Sequence, residues 1–139
     1  CSILGRPIGR NGLKETSVRL GRGIVAFGPL AQGLLTNRYL NGIPEDSRIA
    51  RDHRFLKESA LTPEKLSQIR ALNAIAERRG QTLAEMSLAW LLAKKEVTSV
   101  LVGASKPSQI DDDIKALSNT AFTKEELLEI DAISNPKKA

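Results

Sequence analysis

The chain has 139 residues, of which 41% are hydrophobic and 27% are charged, and this composition is ordinary for a soluble globular domain with a core. No stretch is long and apolar enough to span a bilayer, and we therefore expect no membrane partner. The single cysteine excludes an internal disulfide, and we therefore expect a cytoplasmic protein. The net charge of +5 fits a solvated surface as well as it fits an anionic ligand. Because the sequence contains no basic run flanked by aromatic residues, we expect no nucleic-acid partner.

The first part of the chain contains a weak helix, a strand and a long loop. A helical pattern over residues 11–20 is weakened by glycines. The apolar run Ile24–Phe27 ends at Gly28-Pro29, which is typical of a buried strand in a parallel sheet. Residues 28–61 show little periodicity, and so long a loop in a compact domain is either functional or a sign that an element has been missed.

Two helices with clear start signals follow the loop. Thr62, which precedes a proline, predicts the N-cap of a helix that Gly80 ends. Thr82 and Glu85 match a capping box, in which each side chain accepts a backbone N–H. The helix that this box opens, through Ala93, is apolar almost all round, and we therefore expect it to pack against a sheet.

A second strand and two more helices complete the chain. Val97–Val102 is rich in β-branched residues and ends at Gly103, which again favours a parallel strand. Residues 105–108 begin a helix with an apolar face, and Thr123 caps the last helix. The alternation of strands and helices predicts an α/β fold.

The order of the elements predicts how the two strands pair. We expect residues 24–27 and 98–102 to be adjacent parallel strands, with the helix over residues 82–93 packed on their outer face. Two strands cannot close a parallel sheet. Because the chain also begins with Cys1 rather than methionine, we expect residues 1–139 to be one incomplete domain of a longer polypeptide.

Three segments in sequence order resemble a known family. They read AFGPLAQGLLTNRYLNGIPEDSR, TLAEMSLAWLL and TSVLVGASKPSQIDDDIKAL, and the opening CSILGRPIGRNGLKETSVRLGRGIVAF fits as well. Together they resemble the carboxyl-terminal part of the aldo-keto reductase family. Within that family they are most similar to the bacterial enzymes that act on L-glyceraldehyde 3-phosphate and to the potassium-channel β-subunits.

The resemblance implies an α/β fold of the (β/α)8 TIM-barrel type that binds NADPH. Such a barrel needs about 250 residues or more, and this chain matches only the end of unit six, units seven and eight, and the terminal helix. The family's catalytic Asp, Tyr, Lys and His come from earlier strands, and we expect no catalytic residue and no metal ligand here. His53, the only histidine, lies in the long loop and is interpreted as a surface residue.

The resemblance assigns twelve residues to the cofactor, all of them near the predicted ends of the two strands. They are Phe27, Gly28, Leu30, Gln32, Gly33, Arg38, Arg48, Gly103, Ser105, Gln109, Asp112 and Asp113.

In the first group of this set, the resemblance implies that Phe27 stacks on the nicotinamide ring. The residues that would line the pyrophosphate are Gly28, Leu30, Gln32 and Gly33. Small residues there let backbone N–H groups approach phosphate oxygens. Arg38 and Arg48 would clamp phosphate oxygens through charge-assisted hydrogen bonds. Without the resemblance, Phe27 also fits a core residue at a strand end, and both arginines fit an exposed surface.

In the second group, the resemblance implies that Gly103, Ser105 and Gln109 surround the 2′-phosphate of NADPH. Asp112 and Asp113 would lie at the adenine. The family usually has asparagine in place of Asp113, and an ionised carboxylate accepts hydrogen bonds but cannot donate to a ring nitrogen.

Two hypotheses for function follow. In the first, this chain is the cofactor-binding segment of an NADPH-dependent oxidoreductase whose intact form reduces a small aldehyde or ketone to an alcohol, while the chain alone is inactive. In the second, it is a non-catalytic nucleotide-binding or channel-β-like interaction module. The sequence leaves the carbonyl substrate and homo-oligomerisation open.

Overall fold

The computed structural model describes residues 1–7, 11–45 and 61–135. Within these ranges the helices and strands occur in the order that the sequence predicts. They are α1 (Leu13–Arg19), β1 (Ile24–Phe27), α2 (Pro63–Arg78), α3 (Leu83–Leu92), β2 (Val97–Leu101), α4 (Pro107–Ile114) and α5 (Lys124–Ser134), with short 3-10 turns at Ala31–Gly33, Asn37–Tyr39 and Lys115–Ser118. No helix in the described ranges is both long and apolar enough to cross a membrane.

Threonine caps begin three of the helices, as predicted. The Thr62 hydroxyl accepts the backbone N–H of the third residue of α2 at 3.1 Å. Thr82 and Glu85 form a complete capping box at α3, and Thr123 and Glu126 form another at α5. Since each box satisfies two N–H groups that the helix itself leaves unpaired, these starts are fixed by local sequence.

The two strands pair in parallel, which confirms the predicted topology. Ile24 lies opposite Val97 and Phe27 lies opposite Leu101, with an irregularity after Ile24. Both strands therefore end at the same edge of the sheet. β2 ends one residue earlier than the apolar run suggested, at Leu101.

One face of this sheet packs on the core. Ala26 is buried, and with Met86, Trp90 and Leu91 of α3 it belongs to a core cluster that also contains residues of α2 and α5. The predicted packing of α3 on the strands is confirmed, because α3 is buried almost all round and contacts β2.

The other face of the sheet is open among the described residues. Val25, Phe27 and Leu101 point to this side and are 63%, 75% and 56% exposed. Parallel sheets are normally covered on both faces, so the apolar strands fit an environment larger than the one that the described residues build.

Arg79 connects the carboxyl end of α2 to the segment before α5. Its side chain is 3% exposed, and its guanidinium pairs with the Glu126 carboxylate at 2.6 Å and donates to the Ala121 carbonyl at 2.9 Å. It also lies 3.7 Å from the centre of the Phe122 ring. The neighbouring Arg78 forms its own ion pair with Glu129, and this pair is largely exposed.

We expect Arg79→Met to lower the free energy of unfolding by about 1.5–3 kcal/mol, since it leaves Glu126 and a carbonyl without a charged donor. Arg78→Met is the matched control and should cost less than about 1 kcal/mol, because exposed ion pairs contribute little. Urea denaturation of both variants measures the difference. Equal losses would contradict the structural role of Arg79.

Candidate functional site

The parallel pairing brings the two predicted cofactor loops to one edge of the sheet. Phe27 ends β1 and Leu101 ends β2, and these residues are register partners. The loop that starts at Gly28 and the loop that contains Gly103 therefore leave the sheet side by side. Ligands of α/β proteins bind at this carboxyl edge.

The loop after β1 has an unusual backbone. Gly28 and Gly33 have φ angles of 65° and 98°, and the non-glycine residues Ala31 and Gln32 have φ angles of 49° and 60°. A left-handed conformation costs such residues about 1–3 kcal/mol each and is concentrated at functional sites. The family resemblance implies that this loop binds phosphate, but no residue in the sequence signals the strain at Ala31.

Hydrogen bonds within the loop hold this conformation. The N–H of Ala31 donates to the Gly28 carbonyl at 3.1 Å, and the N–H of Gly33 donates to the Leu30 carbonyl at 3.0 Å. The N–H of Gln32 has no backbone acceptor in the described chain. The Leu30 side chain packs on the core cluster that contains Ala26 and on a second cluster formed by Leu88, Ala89 and Ala116, and these contacts anchor the loop to the protein interior.

Thr36 links this loop to Arg38, and this link was not predicted from the sequence. Its hydroxyl donates to the Gly33 carbonyl at 2.7 Å and accepts the Arg38 N–H at 3.3 Å. A threonine two residues before the arginine is an N-cap signal that could have revealed this link. Arg38 is exposed and lies five residues after Gly33, whereas the predicted residues Arg48 and His53 lie outside the described residues.

In the loop after β2, Gln109 caps α4. Its side-chain oxygen accepts the N–H of Ser105 at 2.7 Å, the N–H of Lys106 at 3.2 Å and the Ser105 hydroxyl at 3.1 Å. These bonds bring two predicted residues together at the helix start. Gly103 lies in open space, where a Cβ would meet no atom within 4 Å.

Asp112 and Asp113 occupy different environments. Asp112 is exposed and accepts a hydrogen bond from the Lys115 ammonium at 2.7 Å. Asp113 is half-buried beside a groove of about 150 Å³ whose other lining residues are aliphatic: Leu88, Leu92, Val100, Val102, Ile110, Ile114 and Leu117. Burial, with a smaller effect from Asp112, raises the pKa of Asp113.

The described residues contain no group of three or more His, Cys, Asp or Glu side chains arranged to bind a metal ion. What the two loops offer is an exposed aromatic ring, strained peptide groups and a capped helix start. These groups suit binding of an elongated anionic ligand better than acid–base chemistry.

Comparison with known proteins decides the family. The model of the aldo/keto reductase family matches residues 1–135. This chain belongs to the aldo/keto reductase family.

Its relatives within the family include reductases and proteins named as channel subunits. L-glyceraldehyde 3-phosphate reductase of Escherichia coli K12 is 47% identical over 133 residues, which are 94% of this chain and 38% of that enzyme. A putative voltage-gated potassium channel subunit beta of Schizosaccharomyces pombe is 40% identical over 119 residues, which are 83% of this chain and 35% of that protein.

Among solved structures, a thermostable aldo-keto reductase in complex with the inhibitor epalrestat superposes with a TM-score of 0.66 and 25% identity. The match covers 96% of this chain and 37% of that structure. These similarities support an α/β TIM-barrel family. The chain spans less than two fifths of the length of these relatives.

The environment of Asp113 leads to a prediction about pH and stability. Since its folded-state pKa is raised, the folded chain binds the Asp113 proton more tightly than the unfolded chain does, and the carboxylate destabilises the fold at neutral pH. We expect Asp113→Asn to raise the melting temperature at pH 7. The gain should disappear as the pH falls below the ordinary aspartate value, where the carboxyl is protonated in both states.

Asp111→Asn is the control for this experiment, because it removes an exposed carboxylate from the same helix. It should change the melting temperature little at either pH. An Asp113→Asn effect that is equally large at low pH would show that burial of the charge is not its cause.

Proposed function

We propose that this chain is the cofactor-binding carboxyl-terminal segment of an NADPH-dependent aldo/keto reductase, which reduces an aldehyde or ketone to an alcohol. In this proposal it forms the end of unit six, units seven and eight, and the terminal helix of a (β/α)8 barrel. The observation that supports it best is the meeting of two loops at one sheet edge, where a strained loop and a capped helix start flank an exposed phenylalanine.

Phe27 is the residue proposed to contact the nicotinamide. This residue is 75% exposed at the end of β1, on the open face of the sheet. A flat apolar ring in that position offers one stacking surface to an aromatic ligand, and stacking determines which face of the ligand points away from the protein.

The loop of residues 28–33 is proposed to bind the pyrophosphate. Leu30, whose φ is −94°, is followed by left-handed Ala31 and Gln32, and such an alternation of backbone conformation is typical of concavities that bind anions. The N–H of Gln32, without a backbone acceptor in the described chain, is available to a phosphate oxygen. Arg38, five residues after Gly33, is proposed to add a positive charge near the pyrophosphate, and Arg48 is proposed to clamp phosphate oxygens in the same way.

The start of α4 is proposed to bind the 2′-phosphate that distinguishes NADPH from NADH. The Gln109 oxygen already accepts the N–H groups of Ser105 and Lys106 and the Ser105 hydroxyl, so the Gln109 amide nitrogen is the side-chain donor left for a phosphate. The positive end of the helix dipole favours the same charge. Asp112 and Asp113, one turn further along α4, are proposed to lie at the adenine.

Bound NADPH supplies the hydride for carbonyl reduction. The residues described here bind and orient the cofactor, and no residue of this chain matches the family's catalytic Asp, Tyr, Lys and His. The proton that the reduced carbonyl requires is therefore proposed to come from residues outside the chain. Alone, the chain is proposed to be inactive.

A second candidate is a non-catalytic module that binds nucleotide or acts as a channel-β-like partner. The similarity to proteins named as potassium channel beta subunits favours it. Both candidates share the same cofactor site, so cofactor binding tests the site and turnover distinguishes the functions.

The cofactor site is tested in a fusion that joins the amino-terminal part of Escherichia coli L-glyceraldehyde 3-phosphate reductase to this chain. We expect Gln109→Glu to weaken NADPH binding by about one to two decades, because the new carboxylate repels the 2′-phosphate and removes a donor worth about 1.5–3 kcal/mol. NADH affinity should stay the same. Fluorescence titration with both cofactors measures these affinities.

Two features of this design separate cofactor binding from folding. The glutamate oxygen still accepts the N–H groups at the start of α4, so the cap is retained, and a melting curve checks this. Ser108→Ala, an exposed change in the same turn, is the control and should leave both affinities unchanged. Unaltered NADPH binding by the Gln109→Glu fusion would contradict the proposed 2′-phosphate site.

A further inference from the structure

Lys94 stacks on the only tryptophan of the chain. It lies just beyond α3, and its ammonium nitrogen is 3.9 Å from the centre of the Trp90 ring. The Arg6 guanidinium stacks on the same indole at 4.4 Å. Since Trp90 is 2% exposed, Lys94 covers a buried ring and is itself half-buried.

The carboxylates near Lys94 pair with other cations. Arg6 forms an ion pair with Asp131, and Lys14 on α1 pairs with Glu96 at 2.9 Å. In the described part of the chain no carboxylate lies within ion-pair distance of Lys94. Three cations thus share two carboxylates, and Lys94 is the cation that pairs with neither carboxylate.

This environment favours the neutral amine. Burial lowers the pKa of Lys94, and the charges of Arg6 and Lys14 lower it further, while Asp131 and Glu96 act in the opposite direction. The indole also stabilises the ammonium, and it interacts with the Arg6 guanidinium as well. A lysine with a lowered pKa has more of its nucleophilic form at neutral pH.

We propose that Lys94 is a preferred site of N-acylation by small anionic acyl donors, of which acyl phosphates are the class. The amine nitrogen attacks the carbonyl carbon, the bond from that carbon to the phosphate oxygen breaks, and an amide and inorganic phosphate form. The amine proton goes to the departing phosphate or to water. No oxidant or further reactant is required.

The charges around the amine select the anionic donor. Arg6 and Lys14 lie close enough to act on Lys94 electrostatically, and they attract an approaching phosphate in the same way. Lys115 offers a contrast, because its contact with Asp112 raises its pKa and keeps it protonated. Lys95, the exposed neighbour of Lys94, provides an internal reference.

The test treats the purified chain with acetyl phosphate and measures initial acylation rates at each lysine by peptide mass spectrometry, across a range of pH. At neutral pH we expect Lys94 to react at least about threefold faster than Lys95. A single charge interaction at a protein surface is strong enough to produce this ratio. The pH at which the Lys94 rate is half-maximal should also be lower than the corresponding pH for Lys95. Equal rates and equal midpoints at the two lysines would overturn the proposal.

Two further arms identify the cause. Lys14→Gln should reduce the Lys94 rate, since it removes a cation and frees Glu96, whereas Arg19→Gln on the same helix should not change it. The neutral donor N-hydroxysuccinimidyl acetate should show a smaller preference for Lys94 than acetyl phosphate does. An equal preference with both donors, or a rate unaffected by Lys14→Gln, would contradict the role of the surrounding charge.

Discussion

The parallel pairing of β1 with β2 is the constraint on which the rest of the structure depends. It aligns Phe27 with Leu101, and this alignment places the loop of residues 28–33 next to the start of α4. If the strands ran antiparallel, the two loops would leave the sheet at opposite edges and could not contact one ligand. The candidate site is therefore a consequence of topology before it is a property of any one side chain.

The same sheet explains why a small chain has such apolar strands. α3 covers one face, and the open face presents Val25, Phe27 and Leu101 in the described structure. A barrel buries that second face, and membership of the aldo/keto reductase family supplies a fold in which both faces of these strands have a partner. The chain is thus proposed to acquire its function only in the context of a larger barrel.

Local signals predicted the elements, and the long-range contacts escaped prediction. The threonine caps at Thr62, Thr82 and Thr123 gave the helix starts because capping is decided within four residues. The burial of Arg79 and the apolar surroundings of Asp113 depend on residues far along the chain, which periodicity cannot reveal. The left-handed Ala31 was equally hidden, because a non-glycine residue carries no signal for that conformation.

The central proposal is that this chain binds the cofactor while residues outside it catalyse the reaction. Its most direct test is NADPH consumption with a reactive aldehyde, measured for the chain alone and for its fusion to the amino-terminal part of the Escherichia coli reductase. Loss of an essential acid alone lowers a rate by about 10²–10⁴, and here the whole catalytic set is proposed to lie outside the chain. We expect the chain to match the buffer control and the fusion to turn over. Turnover by the chain alone, or a folded fusion that binds NADPH but stays inactive, would contradict the account.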